Sequence, residues 1–418
     1  MSEIRRRLLK TTTQEDHTTA EPRTSKRLPI GVYVLGASVF ALGTSEFIVS
    51  GLVDQIAGSL GVSVPQVGQL ITAFAIGMLI GAPLMAVLTL GRDRKTVLLV
   101  AVTVFCVADL LTVIPVFGLM FAMRLIAAMA CATALTVAQV MAVALAGPGR
   151  MPQAIAVILG GMTLANVAGV PLGSLVGALF SWQVIFVLIG VMSAIGAVLV
   201  ALFVPRLPRD HGPAVGLGTL VARELRSLVQ VRVFVALTTI VLFETALFTV
   251  YAYVQPLLID ASGISVHQVP IVLFLFGIGL FVGNTLGGRL AQLNAMKNVI
   301  GSLVAMIVML LVLRAVVHHG IAAAAAITIL GVCAFSMTAA LSSRVIGFAV
   351  AAPTLAVAIV MSAFNIGNAI GPAIGGVVIS RADIADVIWV GVIIALLALA
   401  TAFVSVVIER RRAFAPAP

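Results

Sequence analysis

The sequence predicts an all-α, polytopic membrane protein with twelve transmembrane helices in two pseudo-symmetric six-helix bundles. Three observations predict it. The chain is 61% hydrophobic and 10% charged over 418 residues, with a mean hydropathy of +1.21, where a domain dispersed in water carries about 25% charged residues. The basic residues gather in alternate connections between apolar runs, and a pattern of glycines recurs in the second half of the chain.

The apolar runs come first, because a spanning helix takes about 20 such residues. They lie near 29–53, 66–90, 96–116, 117–146, 154–179 and 183–204, and again near 233–258, 269–291, 299–317, 321–343, 348–379 and 387–408. The eleventh is too long for one span and must contain a loop end or a Gly/Pro break. The 38 glycines suit helices packed through small residues, since lipid gives no hydrophobic drive for helices to associate. The expected organisation is a polar tail (1–28), a first bundle (29–204), a basic linker (205–232), a second bundle (233–409) and a short tail (410–418).

Charge sets the expected orientation. With the N-terminus inside, all of the 25 basic residues except Arg124, Arg314 and Arg381 fall in the tails, the linker or the same-side loops. The positive-inside rule then puts both termini in the cytoplasm, with headgroups rather than nucleic acid as partner of the net charge of +10. One span more or fewer would invert every later loop and spoil the asymmetry.

Enzymatic chemistry finds little purchase. The cysteines Cys106, Cys131 and Cys333 lie in apolar runs without a CxxC pair, and the histidines (His17, His211, His267, His318, His319) lie in tails or loops. No HExxH, GxSxG or P-loop pattern is present. The expectation is therefore no enzyme, no cofactor and no metal, with movement of a solute either passive or driven by a gradient. A ligand sensor would need a folded cytoplasmic domain, for which the tails are too short.

The repeat supports duplication. Gly77, Gly81, Leu84 and Lys95 are matched in spacing by Gly279, Gly283, Leu286 and Lys297. Pro171 and Pro372 stand at nearly the same offset, and Trp182 and Trp389 each open the last span of their half. Two related six-helix halves are a common transporter architecture, with the substrate site between them near the midplane.

Particular stretches carry a family resemblance over roughly 29–408. They are Gly43-Thr-Ser-Glu-Phe47, Gly51-Leu52, Gly68 to Pro83, Gly161 to Gly173 and Trp182 to Phe186 in the first half. In the second they are Gly283 to Leu290 and Phe364 to Gly376. On these the chain resembles the major facilitator superfamily, in its twelve-helix drug:proton antiporter family, near chloramphenicol exporters and arabinose-efflux-type permeases. The resemblance implies export of small amphipathic compounds in exchange for protons by alternating access, from a monomer in a bacterial plasma membrane. A sugar-efflux permease or a gradient-independent facilitator is the alternative. It also implies gating by the cytoplasmic basic residues Arg92, Arg94, Lys95 and Arg289, although Asp93 stands displaced from the family's acidic position and Gln292 replaces a common Asp. Gly160, Gly169, Pro171 and Gly173 resemble the fifth-span antiporter motif, taken to favour export. Packing alone would need the same residues.

Ionisable groups inside spans cost roughly 2.5–3.5 kcal/mol each on insertion scales. Glu46 lies about 24 Å along the first span at 1.5 Å per residue. There it is expected either to exchange a proton or to make a structural hydrogen bond. Arg124 reaches a similar depth, matches the family's fourth-span arginine and is expected to pair with Glu46. Asp109, on a span that is peripheral in this fold, would at most join that pair. Arg314 is expected to snorkel to headgroups. Glu244, Phe248, Tyr251 and Gln255 share one helical face at offsets of 4, 7 and 11. That face suits a cationic ligand, a second proton site or a packing seam. The family more often has a neutral residue where Glu244 sits. Thr163 with Asn166, and Asn365 with Asn368, are spaced to line a cavity or to join helices.

Overall fold

The computed structural model describes residues 28–88, 92–147, 149–207, 230–348 and 353–413, with backbone only at 82–83, 85–88, 353–355 and 410–413. The 1–27 tail and most of the linker, 208–229, therefore lie outside the described residues. Among those described there is no strand.

Among the described residues twelve helices are long and apolar enough to span, the continuous Val269–Val316 counting as two across its kink. We label them α1 (Ile30–Gly51), α2 (Val64–Leu88), α3 (Arg94–Thr112), α4 (Phe117–Ala146), α5 (Met151–Leu179) and α6 (Trp182–Phe203). The second set is α7 (Val231–Tyr251), α8 and α9 (within Val269–Val316), α10 (Gly320–Phe348), α11 (Pro353–Ile379) and α12 (Asp386–Ala413). The helices α8 and α9 run on without a loop and are separated only by Asn294, at φ −163° and ψ 101°. A loop was expected over 292–298. Instead the Asn294 side chain accepts from the Lys297 N–H at 2.9 Å and starts the new helix within a single residue.

Other boundaries shift for legible reasons. α3 starts two residues early because the Asp93 carboxylate caps it, accepting from the Thr96 N–H at 3.0 Å and the Thr96 hydroxyl at 2.8 Å. α7 stops at Tyr251, well short of the expected 258, and a short turn and a π-helical turn follow, Val254–Pro256 and Leu257–Ala261. α11 is described from Pro353 onwards, and the 349–352 part of the overlong run lies outside the described residues. α12 continues four residues beyond 409. α5 changes to a π-helical turn over Ala165–Gly169 just before Pro171, which has no N–H to give the preceding turn.

The repeat is visible in packing. Cβ atoms placed on Gly77 and Gly81 would lie 2.5 Å from the Leu125 carbonyl oxygen and 2.6 Å from Met129 Cα, so α2 lies against α4. On Gly279 and Gly283 they would lie 2.4 Å from the carbonyl oxygens of Thr328 and Val332, so α8 lies against α10 in the same way. Without hydrophobic drive, such backbone approach is what holds helices together. The tryptophans are less equivalent, since Trp182 is buried and Trp389 is 47% exposed.

The halves meet through α2 with α11, α5 with α8, and the ends of α1 and α7. We call the side where α1 begins and α12 ends the termini face. Hydrogen bonds that cross between the halves lie towards the opposite, far face. The Asp54 N–H donates to Gln255 Oε1 at 3.2 Å and the Thr72 hydroxyl donates to the Ala369 carbonyl at 3.0 Å. Tyr253 wedges between α2 and α11, where a Cβ on Gly68 would lie 2.0 Å from its hydroxyl and one on Gly376 2.8 Å. That hydroxyl donates to the Pro372 carbonyl at 2.7 Å.

Candidate functional site: the seam between the halves

The α-helical part of α1 ends at Phe47 and tightens into a 3-10 turn, Ile48–Gly51. Its last carbonyls therefore lack helical donors. Arg124, fully buried on α4, supplies two of them. Its Nη1 donates to the Ser45 carbonyl and to Ser45 Oγ, both at 2.9 Å, and Nη2 donates to the Glu46 carbonyl at 3.3 Å. The guanidinium stands 4.2 Å above the Phe74 ring of α2. A cation at a helix C-terminus also meets the negative end of the helix dipole.

Ser45 passes the chain on. Its hydroxyl donates to Asp109 Oδ1 at 2.9 Å, while Asp109 Oδ2 is buried without a hydrogen-bond partner. The sequence singles out the outer members of this relay and misses the serine, because a serine beside an acid in a span carries no signal of its own. Asp109 is not peripheral as expected: α3 has an exposed apolar edge, but this carboxylate is fully buried towards α1 and α4.

The expected ion pair between Arg124 and Glu46 is absent. Arg124 holds the backbone carbonyl of Glu46, and the carboxylate itself makes no hydrogen bond among the described residues. Glu46 is half-buried and lies within electrostatic reach of Arg124 and of Glu244 across the seam. Glu244 is 5% exposed, packed so that a Cβ on Gly367 of α11 would lie 2.4 Å from its own Cβ, and its carboxylate is likewise without a hydrogen bond.

Aromatic rings continue the seam. Phe47 of α1 faces Phe248 of α7 at 5.9 Å between centroids, Phe248 meets Tyr251 edge-on at 5.6 Å, and Tyr251 stacks on Phe276 of α8 at 4.6 Å. Phe47 and Phe276 were not singled out by the sequence. Gln255 does not continue this face. The helix has ended before it, and its fully buried amide belongs to the far-face closure, with Oε1 on the Asp54 N–H and Nε2 unpartnered.

The polar pairs turn to their own helices. Thr163 donates to the Leu159 carbonyl at 2.9 Å, Asn166 to the Met162 carbonyl at 3.2 Å and Asn365 to the Met361 carbonyl at 2.9 Å. Asn368 is 8% exposed with a buried, unpartnered Oδ1. On α5, Gly169 packs on Thr44 and Gly173 on Ile48, beside buried Pro171. Gly160 has open space around it, whereas a Cβ on Gly161 would lie 2.3 Å from the Gly36 carbonyl oxygen. The close crossing of α1 and α5 therefore uses Gly161. Of the basic residues at the termini face, Lys95 donates to the Ala201 carbonyl at the end of α6 at 2.7 Å, Arg94 is half-buried, and Arg92 and Arg289 are exposed. Asp93 serves as a helix cap. Arg314 lies 6.0 Å from the Trp389 ring.

The family description of the Major Facilitator Superfamily matches residues 35–354. The chain is 32% identical over 379 residues to "Inner membrane transport protein YdhP" of Escherichia coli, covering 90% of this chain and 95% of that one. It is 34% identical over 346 residues to "Chloramphenicol resistance protein" of Streptomyces lividans, covering 82% and 88%. A third relative, "Probable sugar efflux transporter" of Helicobacter acinonychis, is 28% identical over 370 residues, covering 88% and 93%. Among solved structures, a bacterial homologue of the human lysosomal transporter Spinster, inward-facing and unoccupied, shares the fold with a TM-score of 0.73 at 15% identity, over 91% of this chain and 97% of that one. The nucleoside transporter NupG does so with a TM-score of 0.72 at 15% identity, over 90% and 98%. With twelve spanning helices and this match along most of its length, the chain is a multi-pass membrane transporter and belongs to the Major Facilitator Superfamily.

Proposed function

We propose that the protein exports small amphipathic compounds, chloramphenicol-type antibiotics among them, in exchange for protons. The observation that carries this reading is the Glu46 carboxylate, placed at the seam between the halves without a hydrogen-bond partner and beside a guanidinium committed elsewhere. Such an acid is costly to keep ionised at membrane depth and gains from taking a proton. The aromatic rings beside it offer apolar area to an amphipathic solute. The relative named for chloramphenicol resistance supports the substrate class, and the one named for sugar efflux supports the alternative.

In this reading the carrier is a monomer in a bacterial plasma membrane with both termini in the cytoplasm, as the basic residues favour. The far-face contacts then form the outer gate, and a solute enters from the termini face. The six-helix halves, 29–204 and 233–409, rock about the seam. Protonation of Glu46 from outside resets the carrier, with about 2.3 kcal/mol available per charge per 100 mV.

The test is accumulation and resistance in a pump-deficient bacterial host, wild type against Glu46→Gln, with a phenicol and an arabinose-type sugar as substrates. Wild type is expected to lower phenicol accumulation until an uncoupler is added, and Glu46→Gln to lose that effect. Uncoupler-insensitive flux would instead establish a facilitator.

A further inference from the structure

A groove of about 450 Å³ runs along the outer side of the first half, between 33–40 of α1, 157–164 of α5 and 192–199 of α6. Neither the acids nor the rings of the seam line it. Its rims face outward, with Leu164 55% and Ile195 54% exposed. Gly160 lines it and has no atom within 4 Å of the place of a Cβ, so this glycine, idle in the crossing of α1 and α5, keeps the groove open. The Ser38 hydroxyl is spent on the Val34 carbonyl at 3.0 Å, which leaves the walls mainly apolar.

The length of the groove points to its occupant. Each of the three stretches rises about 10 Å at 1.5 Å per residue. The groove opens one to two turns inside the termini-face ends of the helices and stops near their middles. Phe40 and Met192, at its inner end, stand halfway along Ile30–Gly51 and Trp182–Phe203. It therefore covers one leaflet of a hydrocarbon core about 30 Å thick. A helix of a second copy would cross both leaflets and need a groove that runs through. An acyl chain ends where this groove ends, and it is thin and flexible enough to restore the dispersion contacts that an unfilled lining forfeits.

Charge selects the headgroup. Val204, just past the end of α6, lies 3.6 Å from the place of a Cβ on Gly31, which sets the exposed Arg206 beside the start of α1. Arg150 stands at the N-cap of α5, and Lys95 donates to the Ala201 carbonyl near the end of α6. Among the described residues, these cations outnumber the acid in the field of Arg206, Asp93. Basic residues at such a mouth attract anionic headgroups. We propose that the groove binds one acyl chain of an anionic phospholipid from the leaflet at the termini face, with the phosphate beside Arg150 and Arg206 and the chain laid over Gly160. The site is independent of what the carrier moves.

The test is lipid binding to the purified full-length protein in detergent, read by native mass spectrometry as lipid retained and by the shift of the thermal midpoint. The probes are dioleoylphosphatidylglycerol and dioleoylphosphatidylcholine, which share their chains and differ in net charge. Wild type is expected to prefer phosphatidylglycerol by about fivefold or more, the effect of one basic residue at a charged surface. Gly160→Leu, which fills the groove, is expected to lose both lipids. Arg150→Gln combined with Arg206→Gln is expected to lose the preference and still take up either lipid. Gel filtration reports folding. Should Gly160→Leu fail to fold, Ile195→Trp, at an exposed position on the rim, fills the groove in its place. A wild type that holds both lipids alike, a filled variant that retains phosphatidylglycerol as wild type does, or a double variant that keeps the preference overturns the inference. So does a lipid-free dimer that the filled variant turns into a monomer, which would give the groove to a second copy.

Discussion

Arg124 directs its guanidinium at the backbone end of α1 and reaches an acid only through the Ser45 hydroxyl. This makes Ser45 a structural keystone that its sequence context does not advertise. Ser45→Ala would leave Asp109 with both oxygens unpartnered in a fully buried place. The expected cost is about 1–3 kcal/mol, read as a lower thermal midpoint in detergent. An unchanged midpoint would show that the relay contributes nothing. A paired test separates the glycines of α5. Gly161→Val should lower stability by about 1–3 kcal/mol through contact with the Gly36 carbonyl, while Gly160→Ala, with no atom within 4 Å of its Cβ, should be neutral. The acids and the arginine were legible in the sequence because an ionisable group in an apolar run is conspicuous. Ser45, Phe47 and Phe276 were not, because serines and phenylalanines are common in spans and only the fold shows which of them meet.

Among elements, the end of α7 decides the far face. The expected stripe of Glu244, Phe248, Tyr251 and Gln255 presumes a helix through 255. The chain leaves α-helical geometry after Tyr251, so Gln255 turns to the closure and Tyr253 enters the slot between α2 and α11. Pro256 was the visible sign of a break, but no sequence rule gives the direction in which the chain leaves. Gly68→Ala would drive a methyl group into the Tyr253 hydroxyl and is expected to open the far face. Spin labels across the α2 and α11 ends would then show a longer distance, and an unchanged distance would refute the wedge. The far face is also expected to respond to pH. Burial first, and the neighbouring charge of Asp260 second, push the Asp54 carboxyl up from its ordinary 3.8 to about 6. A carboxyl raised in the closed state stabilises closure while protonated and loses that advantage as pH rises from about 4 through about 6. The same labels should report less closure above that window, and Asp54→Asn should remove the dependence.

At the scale of the whole molecule, the internal repeat was the most reliable message in the sequence. Gly77 with Gly81 and Gly279 with Gly283 seat α2 on α4 and α8 on α10 by one and the same device, so the duplication survives as a shared way of packing. The count of twelve spans was legible from the apolar runs and the one-sided basic residues, although Asn294 joins two of the helices with almost no loop. The meeting of the halves was not legible, because contacts such as Thr72 to Ala369 join residues far apart in sequence with no motif between them. Exchange of protons at Glu46 against substrate can be read in inside-out membrane vesicles. With a respiration-generated acidic interior followed by a quenched acridine dye, added substrate should release protons and restore fluorescence in wild type and not in Glu46→Gln. Equal recovery in both, or none in a wild type shown to move the substrate, would contradict it.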